Sequence, residues 1–266
     1  GKLRRYFSSE NFFDFFKFIF GIIQSSIFLL KFSNKTTLVF STGGFVSLPV
    51  VISAKLTGKK VVVHEQTSRI GLANKIASYF ADEIYVSFEE SLNFLPSKKT
   101  FHTGYPLHQD CFLPIPSEVK FRGIDLKSIG RPVLLITGGG NGSKLLNDFL
   151  LKNLSEIKNE YFIIHQVGKN FIQDFEKLQD DFYHPVGFVS DLVNVMKVSK
   201  VIISRAGAGT VIELMALKKK SIFIPLKIAQ KNEQFHNAQL AKKRLGSIVL
   251  SEDDLKEKTI LELFEE

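Results

Sequence analysis

Between Val201 and Pro225 the chain sets a turn of small residues between an apolar run and a helix, with a carboxylate a little further on. Val201-Ile202-Ile203 reads as a buried parallel strand. Arg205-Ala206-Gly207-Ala208-Gly209-Thr210 follows with almost no side-chain bulk. A helix then carries Glu213 in its first turns, and Ser221–Pro225 reads as the next strand. Small residues let a phosphate approach the free N–H groups at a helix start, where the helix dipole also favours negative charge. Glu213, about one turn in, is placed to accept hydrogen bonds from a ribose diol. The unit suits a nucleoside diphosphate. The plainer alternative is that Gly207 and Gly209 only permit tight strand-to-helix packing. The dinucleotide fingerprint is absent, because G-x-G is not followed by x-x-G. A second glycine-rich turn, Gly138-Gly139-Gly140-Asn141-Gly142-Ser143-Lys144, is not a P-loop, because Ser143 rather than Gly precedes Lys144.

The first half repeats the pattern. Thr42-Gly43-Gly44-Phe45-Val46-Ser47 follows a strand and opens a helix, a second anion-friendly turn. His64-Glu65-Gln66 ends the next strand, and Asn74 follows at the Gly71-Leu72-Ala73-Asn74 turn. Polar groups at strand carboxyl ends stand where open parallel sheets bind ligands. His64 has two readings, a site residue or a hydrogen-bonded structural histidine. No metal site is expected: neighbours His64 and Glu65 point to opposite sides of a strand, and no third ligand converges on them. His102, His165 and His184 are isolated and read as structural or surface residues.

These motifs need a scaffold of alternating strands and helices. Strand candidates recur at Thr37–Ser41, Lys60–His64, Glu83–Ser87, Pro132–Thr137, Tyr161–His165, Lys200–Ser204, Ser221–Pro225 and Ser247–Leu250, with helical spacers between them. The alternation predicts an α/β fold with parallel sheets. Pro106–Arg131 is proline-rich, has few periodic apolar residues and reads as interdomain. The expected division is residues 1–112, a linker at 113–130, and residues 131–266. Ligands would bind beyond the strand carboxyl ends, in a cleft that the two domains face.

The chain has 266 residues, 44% hydrophobic and 23% charged, enough for a large core in two domains. Its one cysteine, Cys111, excludes a disulfide framework and a cysteine-based zinc site, and suits a reducing cytosol. The net charge of +8 suits an anionic partner. No nucleic-acid motif accompanies it, which leaves an acidic membrane surface or a phosphorylated substrate. Phe12–Phe32 is rich in Phe, Ile and Leu, but Lys17, Gln24, Ser25 and Ser26 interrupt it, so it falls short of a membrane-spanning run. It reads as an amphipathic helix. Either it faces the core of the first domain, or part of its face touches a bilayer. In the second case Lys2, Arg4, Arg5, Lys17, Lys31 and Lys35 would be drawn to anionic lipid.

Taken together, Gly43-Gly44-Phe45-Val46-Ser47-x-Pro49, His64-Glu65-Gln66…Gly71-Leu72-Ala73-Asn74, Thr103-Gly104-Tyr105-Pro106, Gly138–Gly142…Asn147, Phe188-Val189-Ser190-Asp191-Leu192, Arg205–Thr210…Glu213 and Gln234…Asn237-Ala238 resemble, in order, the MurG family of bacterial N-acetylglucosaminyltransferases (glycosyltransferase family 28). The likeness runs over essentially the whole chain. It implies the GT-B fold, two Rossmann-like domains facing a cleft. The donor would be UDP-N-acetylglucosamine, and the acceptor the C4 hydroxyl of undecaprenyl-diphospho-N-acetylmuramoyl-pentapeptide, at the cytoplasmic face of the bacterial inner membrane. The chemistry implied is inverting transfer in peptidoglycan synthesis, with no cofactor and no metal, in keeping with the lack of an Asp-x-Asp motif.

Carried over residue by residue, Gly138, Gly139, Gly140, Asn141 and Gly142, with Arg205, Ala206, Gly207, Ala208, Gly209 and Thr210, would embrace the diphosphate. Glu213 would hold the ribose, Phe188 and Val189 would contact uracil, and Gln234 and Asn237 the donor sugar. Gly43, Gly44, His64, Glu65 and Gln66 would border the acceptor. The chain departs from the family at Thr67, where Asn is usual, at His108, where Arg is usual, and at Gly140, where Ser is usual; Thr67 and His108 stand at positions that serve the donor. Family members begin with a strand and a glycine-rich loop bearing the expected general-base histidine, and end in closing helices. The chain therefore reads as an internal piece of a longer protein, with its first domain incomplete and that base upstream of residue 1; within the chain His64 is the candidate base. Two rivals stand beside this reading: another UDP-sugar transferase acting on a lipid, and a non-catalytic UDP-sugar-binding fragment.

Overall fold

The computed structural model describes residues 9–35, 38–67, 70–227, 232–257 and 259–264. They fall into two compact units, Gly1–Pro106 and Leu107–Glu266.

The first unit runs α1 (Ser9–Lys31), β1 (Leu38–Ser41), α2 (Ser47–Leu56), β2 (Lys60–Glu65), α3 (Leu72–Phe80), β3 (Glu83–Val86) and β4 (Thr100–His102). The strands form a parallel sheet in the order β1-β2-β3-β4. In β2, Val61, Val62 and Val63 are all buried, the unbroken apolar run of a strand covered on both faces. Val61, Val63, Ile84 and Val86 pack with Leu48 and Val51 of α2, Ala73 and Ala77 of α3, and Leu29 of α1.

Helix α1 is amphipathic, with one side on the core and another exposed. Leu29 is buried and Phe18 packs on the core. The Ser53 hydroxyl donates to the Ile22 carbonyl at 2.8 Å. Phe16, Phe20, Ile23, Ile27, Phe28 and Leu30 are exposed. Among the described residues no helix is long and apolar enough to cross a membrane. Lys2, Arg4, Arg5 and Thr37 lie outside the described residues.

The second unit holds the hairpin β5 (Lys120–Phe121) and β6 (Ile124–Asp125), then β7 (Val133–Thr137), α4 (Lys144–Ile157), β8 (Phe162–Gln166), α5 (Ile172–Glu176), β9 (Tyr183–Val186), α6 (Leu192–Val198), β10 (Val201–Ser204), α7 (Ala208–Ala216), β11 (Ile222–Phe223), α8 (Glu233–Leu245), β12 (Ile248–Val249), α9 (Glu252–Glu257) and α10 (Ile260–Phe264). Its parallel sheet has the order β12-β11-β10-β7-β8-β9. Alternate residues of β7 feed the two faces: Val133 and Leu135 pack with α6, α7 and α8, while Leu134 and Ile136 pack with α4, α5, α9 and α10. This is a doubly wound sheet.

The segment read as a linker behaves differently. The division falls at Pro106, and residues 113–130 are built into the second unit. Val119, Phe121 and Leu126 join its core. Arg122 and Gly123 both have positive φ, 50° and 84°, which closes the tight β5–β6 turn. The buried Lys197 ammonium donates to the carbonyls of Leu113 (3.0 Å) and Pro114 (3.4 Å), holding the segment to α6.

Candidate functional site

The two glycine-rich turns of the second unit leave the carboxyl ends of neighbouring strands, β7 and β10. Their glycines divide by role. A Cβ at Gly138 would lie 2.3 Å from the Ser143 nitrogen, and one at Gly142 would lie 1.9 Å from the Val167 carbonyl oxygen, with φ already at +74°. Those two positions are glycine because backbone passes against backbone. Around Gly139, Gly140 and Gly207 a Cβ would meet nothing within 4 Å. Those positions open to space in which a ligand can approach. The start of α7 is bare as well: Gly207 is its N-cap and gives no side-chain hydrogen bond. The first-turn N–H groups, Ala208, Gly209 and Thr210 among them, therefore keep their capacity to bind an anion.

Glu213 lies in the second turn of α7 and is half-buried. Its carboxylate takes no hydrogen bond or ion pair from the described residues. Burial raises its pKa above the usual carboxylate range, and the nearby His108 opposes that rise. His108 is exposed at the head of the turn Gln109–Phe112, with Nδ1 3.1 Å from Asp110 Oδ2. Burial and the charge of Glu213 together push the Cys111 thiol up, so this turn sits beside α7.

Arg205 has another task than the one expected of it. Its side chain is 12% exposed, and Nη1 lies 2.7 Å from Glu252 Oε1 of α9. The same nitrogen donates to the Ile224 carbonyl at 3.1 Å, and Nε donates to Ser143 Oγ at 3.0 Å. Ser143 caps α4 through the Leu146 N–H. The guanidinium therefore braces one glycine-rich turn against the other and faces the interior. Ala206 is fully buried beside it.

Phe188 is exposed and lines a hollow of about 240 Å3 with Phe121, Arg122 and Asp191. Val189 is buried, and its N–H donates to Gln166 Oε1 at 2.9 Å. Gln234 accepts the Leu226 N–H at 3.0 Å. Asn237 is buried, with Nδ2 donating to the Ala206 carbonyl at 3.2 Å. Asn237 thus supports the second turn from below.

The first-unit motif is a polar knot around Glu65. This buried carboxylate accepts the Thr67 N–H and hydroxyl on Oε1 (3.0 and 2.8 Å), and the Gly71 N–H and Asn74 Nδ2 on Oε2 (3.0 and 3.1 Å). Thr67 is therefore engaged with Glu65, the short side chain serving where a longer amide is usual. Gly43 has φ +96°, and a Cβ there would lie 2.9 Å from the Asn74 amide; Gly44 is open. Gln66 is half-buried next to the knot. His64 is 6% exposed, with Nε2 3.1 Å from Ser87 Oγ, and burial lowers its pKa. The structural reading of His64 fits this setting, a ring held inside the sheet by Ser87.

Sequence reasoning missed Thr137, Ser143, Gln166 and Glu252. Ser143 carried a signal, a serine directly before a helix. Glu252 carried none, since it meets Arg205 only in the folded unit.

Residues 1–86 match the glycosyltransferase family 28 N-terminal domain, and residues 133–266 the C-terminal domain of the same family. A UDP-N-acetylglucosamine--N-acetylmuramyl-(pentapeptide) pyrophosphoryl-undecaprenol N-acetylglucosamine transferase of Clostridium tetani is 37% identical over 263 residues, 98% of this chain and 72% of that protein. The transferase of the same description from Clostridium perfringens is 40% identical over 262 residues, again 98% and 72%. Among solved structures, MurG of Acinetobacter baumannii matches with a TM-score of 0.68 at 23% identity, over 100% of this chain and 73% of that one. UDP-GlcNAc 2-epimerase of Neisseria meningitidis, bound to UDP-GlcNAc, matches at 0.61 and 15% identity, over 93% and 73%. The structural likenesses show a shared α/β fold, GT-B. The chain belongs to glycosyltransferase family 28.

Proposed function

We propose that the chain transfers N-acetylglucosamine from UDP-N-acetylglucosamine to the C4 hydroxyl of undecaprenyl-diphospho-N-acetylmuramoyl-pentapeptide, a step of peptidoglycan synthesis. The observation that carries this reading is the uncapped start of α7, with Gly207 open to space and, one turn along, the Glu213 carboxylate, which is unpaired among the described residues. The names of the relatives supply the substrates.

In this reading the diphosphate lies against the N–H groups of Ala208, Gly209 and Thr210 and of the Gly139–Gly140 corner. Glu213 accepts from the ribose hydroxyls, and Phe188 contacts uracil. The acceptor hydroxyl attacks the anomeric carbon from the face opposite the leaving group while a general base takes its proton; the bond from that carbon to the diphosphate breaks, UDP leaves and configuration inverts. Negative charge grows on the departing diphosphate, where fixed N–H donors and the α7 dipole stabilise it without reorganising. No metal or cofactor is assigned a part. His64 is given a structural role, and the first-unit turn at Gly43–Gly44 borders the acceptor. The exposed apolar face of α1, with Lys17, Lys31 and Lys35, rests on the anionic cytoplasmic surface of the membrane.

The test is a product assay. With UDP-N-acetylglucosamine and the undecaprenyl-diphospho-muramoyl-pentapeptide acceptor, the protein carrying this chain forms the disaccharide lipid. Transfer to diacylglycerol in preference to that acceptor would refute the reading.

A further inference from the structure

Strand β8 ends in two consecutive buried polar residues, His165 (0% exposed) and Gln166 (1%), whose side chains leave opposite faces of the sheet. Neither belongs to the surface that would touch a nucleotide, yet Gln166 holds a backbone group beside that surface directly, and His165 reaches one through Asn147.

On one face, Gln166 Oε1 accepts the Val189 N–H at 2.9 Å, and its Nε2 donates to Thr137 Oγ1 at 3.2 Å. The same oxygen accepts the Gly139 N–H at 3.0 Å. One amide side chain therefore spans the base-contacting motif and the first phosphate turn. On the other face, Asn147 Nδ2 donates to the Val167 carbonyl at 3.2 Å. That contact fixes the amide, so Asn147 Oδ1 must accept from His165 Nε2 across 3.0 Å. The Nε2 then carries the proton, and the bare Nδ1 accepts from the Tyr183 hydroxyl across 2.9 Å. Burial holds His165 down at about 3, so the ring stays neutral and the direction of the relay does not reverse near neutral pH. The carbonyl at its end is the one against which Gly142 packs.

We propose that Gln166 and Asn147 are positioning residues for the donor: Gln166 fixes the backbone at Val189, next to the base-contacting Phe188, together with Gly139, and Asn147, braced by His165 and Tyr183, sets the floor of the phosphate turn. The inference rests on the proposed UDP-sugar site and adds to it the groups that hold it in shape.

The test titrates uridine and UDP, by calorimetry, into the full protein carrying Gln166→Met, Gln166→Glu, Asn147→Leu or Ile157→Val. Loss of one such buried hydrogen bond corresponds to about a tenfold change in Kd. Gln166→Met weakens uridine and UDP alike by about tenfold or more. Asn147→Leu weakens UDP by about tenfold and leaves uridine unchanged. Gln166→Glu, protonated when buried and so able to accept and donate as before, restores uridine affinity. Ile157→Val, a buried loss in α4 away from the turn, lowers the melting temperature and moves neither affinity. Folded Gln166→Met and Asn147→Leu proteins with unaltered affinities overturn the inference, as does an Ile157→Val protein that shows the same losses. If Gln166→Met does not fold, the split between uridine and UDP in Asn147→Leu decides. Absence of UDP binding by the unsubstituted protein overturns the nucleotide site together with this inference; binding by it with unaltered variants overturns this inference alone.

Discussion

Arg205 of the second glycine-rich turn donates to Ser143 Oγ, the N-cap of α4, at 3.0 Å. One guanidinium thereby joins the ends of β7 and β10, and its contact with Glu252 carries the brace on to α9. The two glycine-rich turns are tied to each other, which suits the proposed electrostatic stabilisation by donors fixed in advance.

Truncating Arg205 strands a largely buried carboxylate. Arg205→Met is expected to lower stability by on the order of 3 kcal/mol. Urea unfolding checks this, as a lower midpoint with an unchanged slope. Arg205→Lys recovers little, because one ammonium cannot reach Ser143, Ile224 and Glu252 together. An unmoved midpoint for Arg205→Met would remove the brace from the account.

The glycines give a paired prediction. Gly142→Ala forces a Cβ to 1.9 Å from the Val167 oxygen at φ +74°, and Gly138→Ala forces one to 2.3 Å from the Ser143 nitrogen. Both should melt far below the parent. Gly207→Ala meets open space and should melt with the parent, yet places a methyl where phosphate would lie. Its UDP affinity should fall by about tenfold or more. Thermal melts and calorimetry on the three proteins decide, and equal melting of all three contradicts the division.

Much of this was readable in advance, and the gaps have physical causes. The buried strands β2, β7 and β10 are short apolar runs followed by small or polar turns, the pattern that identifies them. Strand β9 was missed because His184 and Pro185 interrupt its apolar run. Pro185 is tolerated because β9 stands at the sheet edge. The β5–β6 hairpin was missed because its turn is Arg122-Gly123, with a left-handed arginine where Asn or Asp is the usual signal. At the site, the small residues around Gly207 and the carboxylate of Glu213 were legible because their use depends on local spacing. The inward guanidinium of Arg205, the engaged N–H of Val189 and the buried amide of Asn237 were not. Each depends on a partner from a distant segment.

The apolar face of α1 predicts how the protein meets lipid. Phe20 and Ile27 are exposed, at 59% and 61%. Burying each in the headgroup region is worth about 1.5–3 kcal/mol. Phe20→Asp and Ile27→Asp should each reduce sedimentation with anionic vesicles by about tenfold or more. Binding should also weaken with added salt, through Lys17, Lys31 and Lys35. Vesicle binding that survives both substitutions at high salt would assign lipid contact elsewhere.

Glu213 has a pH signature. Its pKa is raised in the folded protein, chiefly by burial, so its charged form is disfavoured there relative to the unfolded chain. The stability this group gives up is therefore absent at low pH and appears as pH rises through the unfolded and then the folded pKa. Glu213→Gln should raise the melting temperature at pH 8 and have little effect near pH 4. UDP affinity should run the other way, falling as pH drops and the carboxylate protonates. A Glu213→Gln melt no higher than the parent at pH 8 contradicts the burial argument.

The central claim is that α7 grips a diphosphate at its open end while Glu213 holds the ribose. Calorimetric titration of UDP into the protein and its Glu213→Ala variant tests it most directly. Loss of hydrogen bonds to a charged acceptor, about 1.5–3 kcal/mol, predicts Kd higher by about tenfold to a hundredfold in a variant that still folds. Equal UDP affinity in the two proteins would contradict the account.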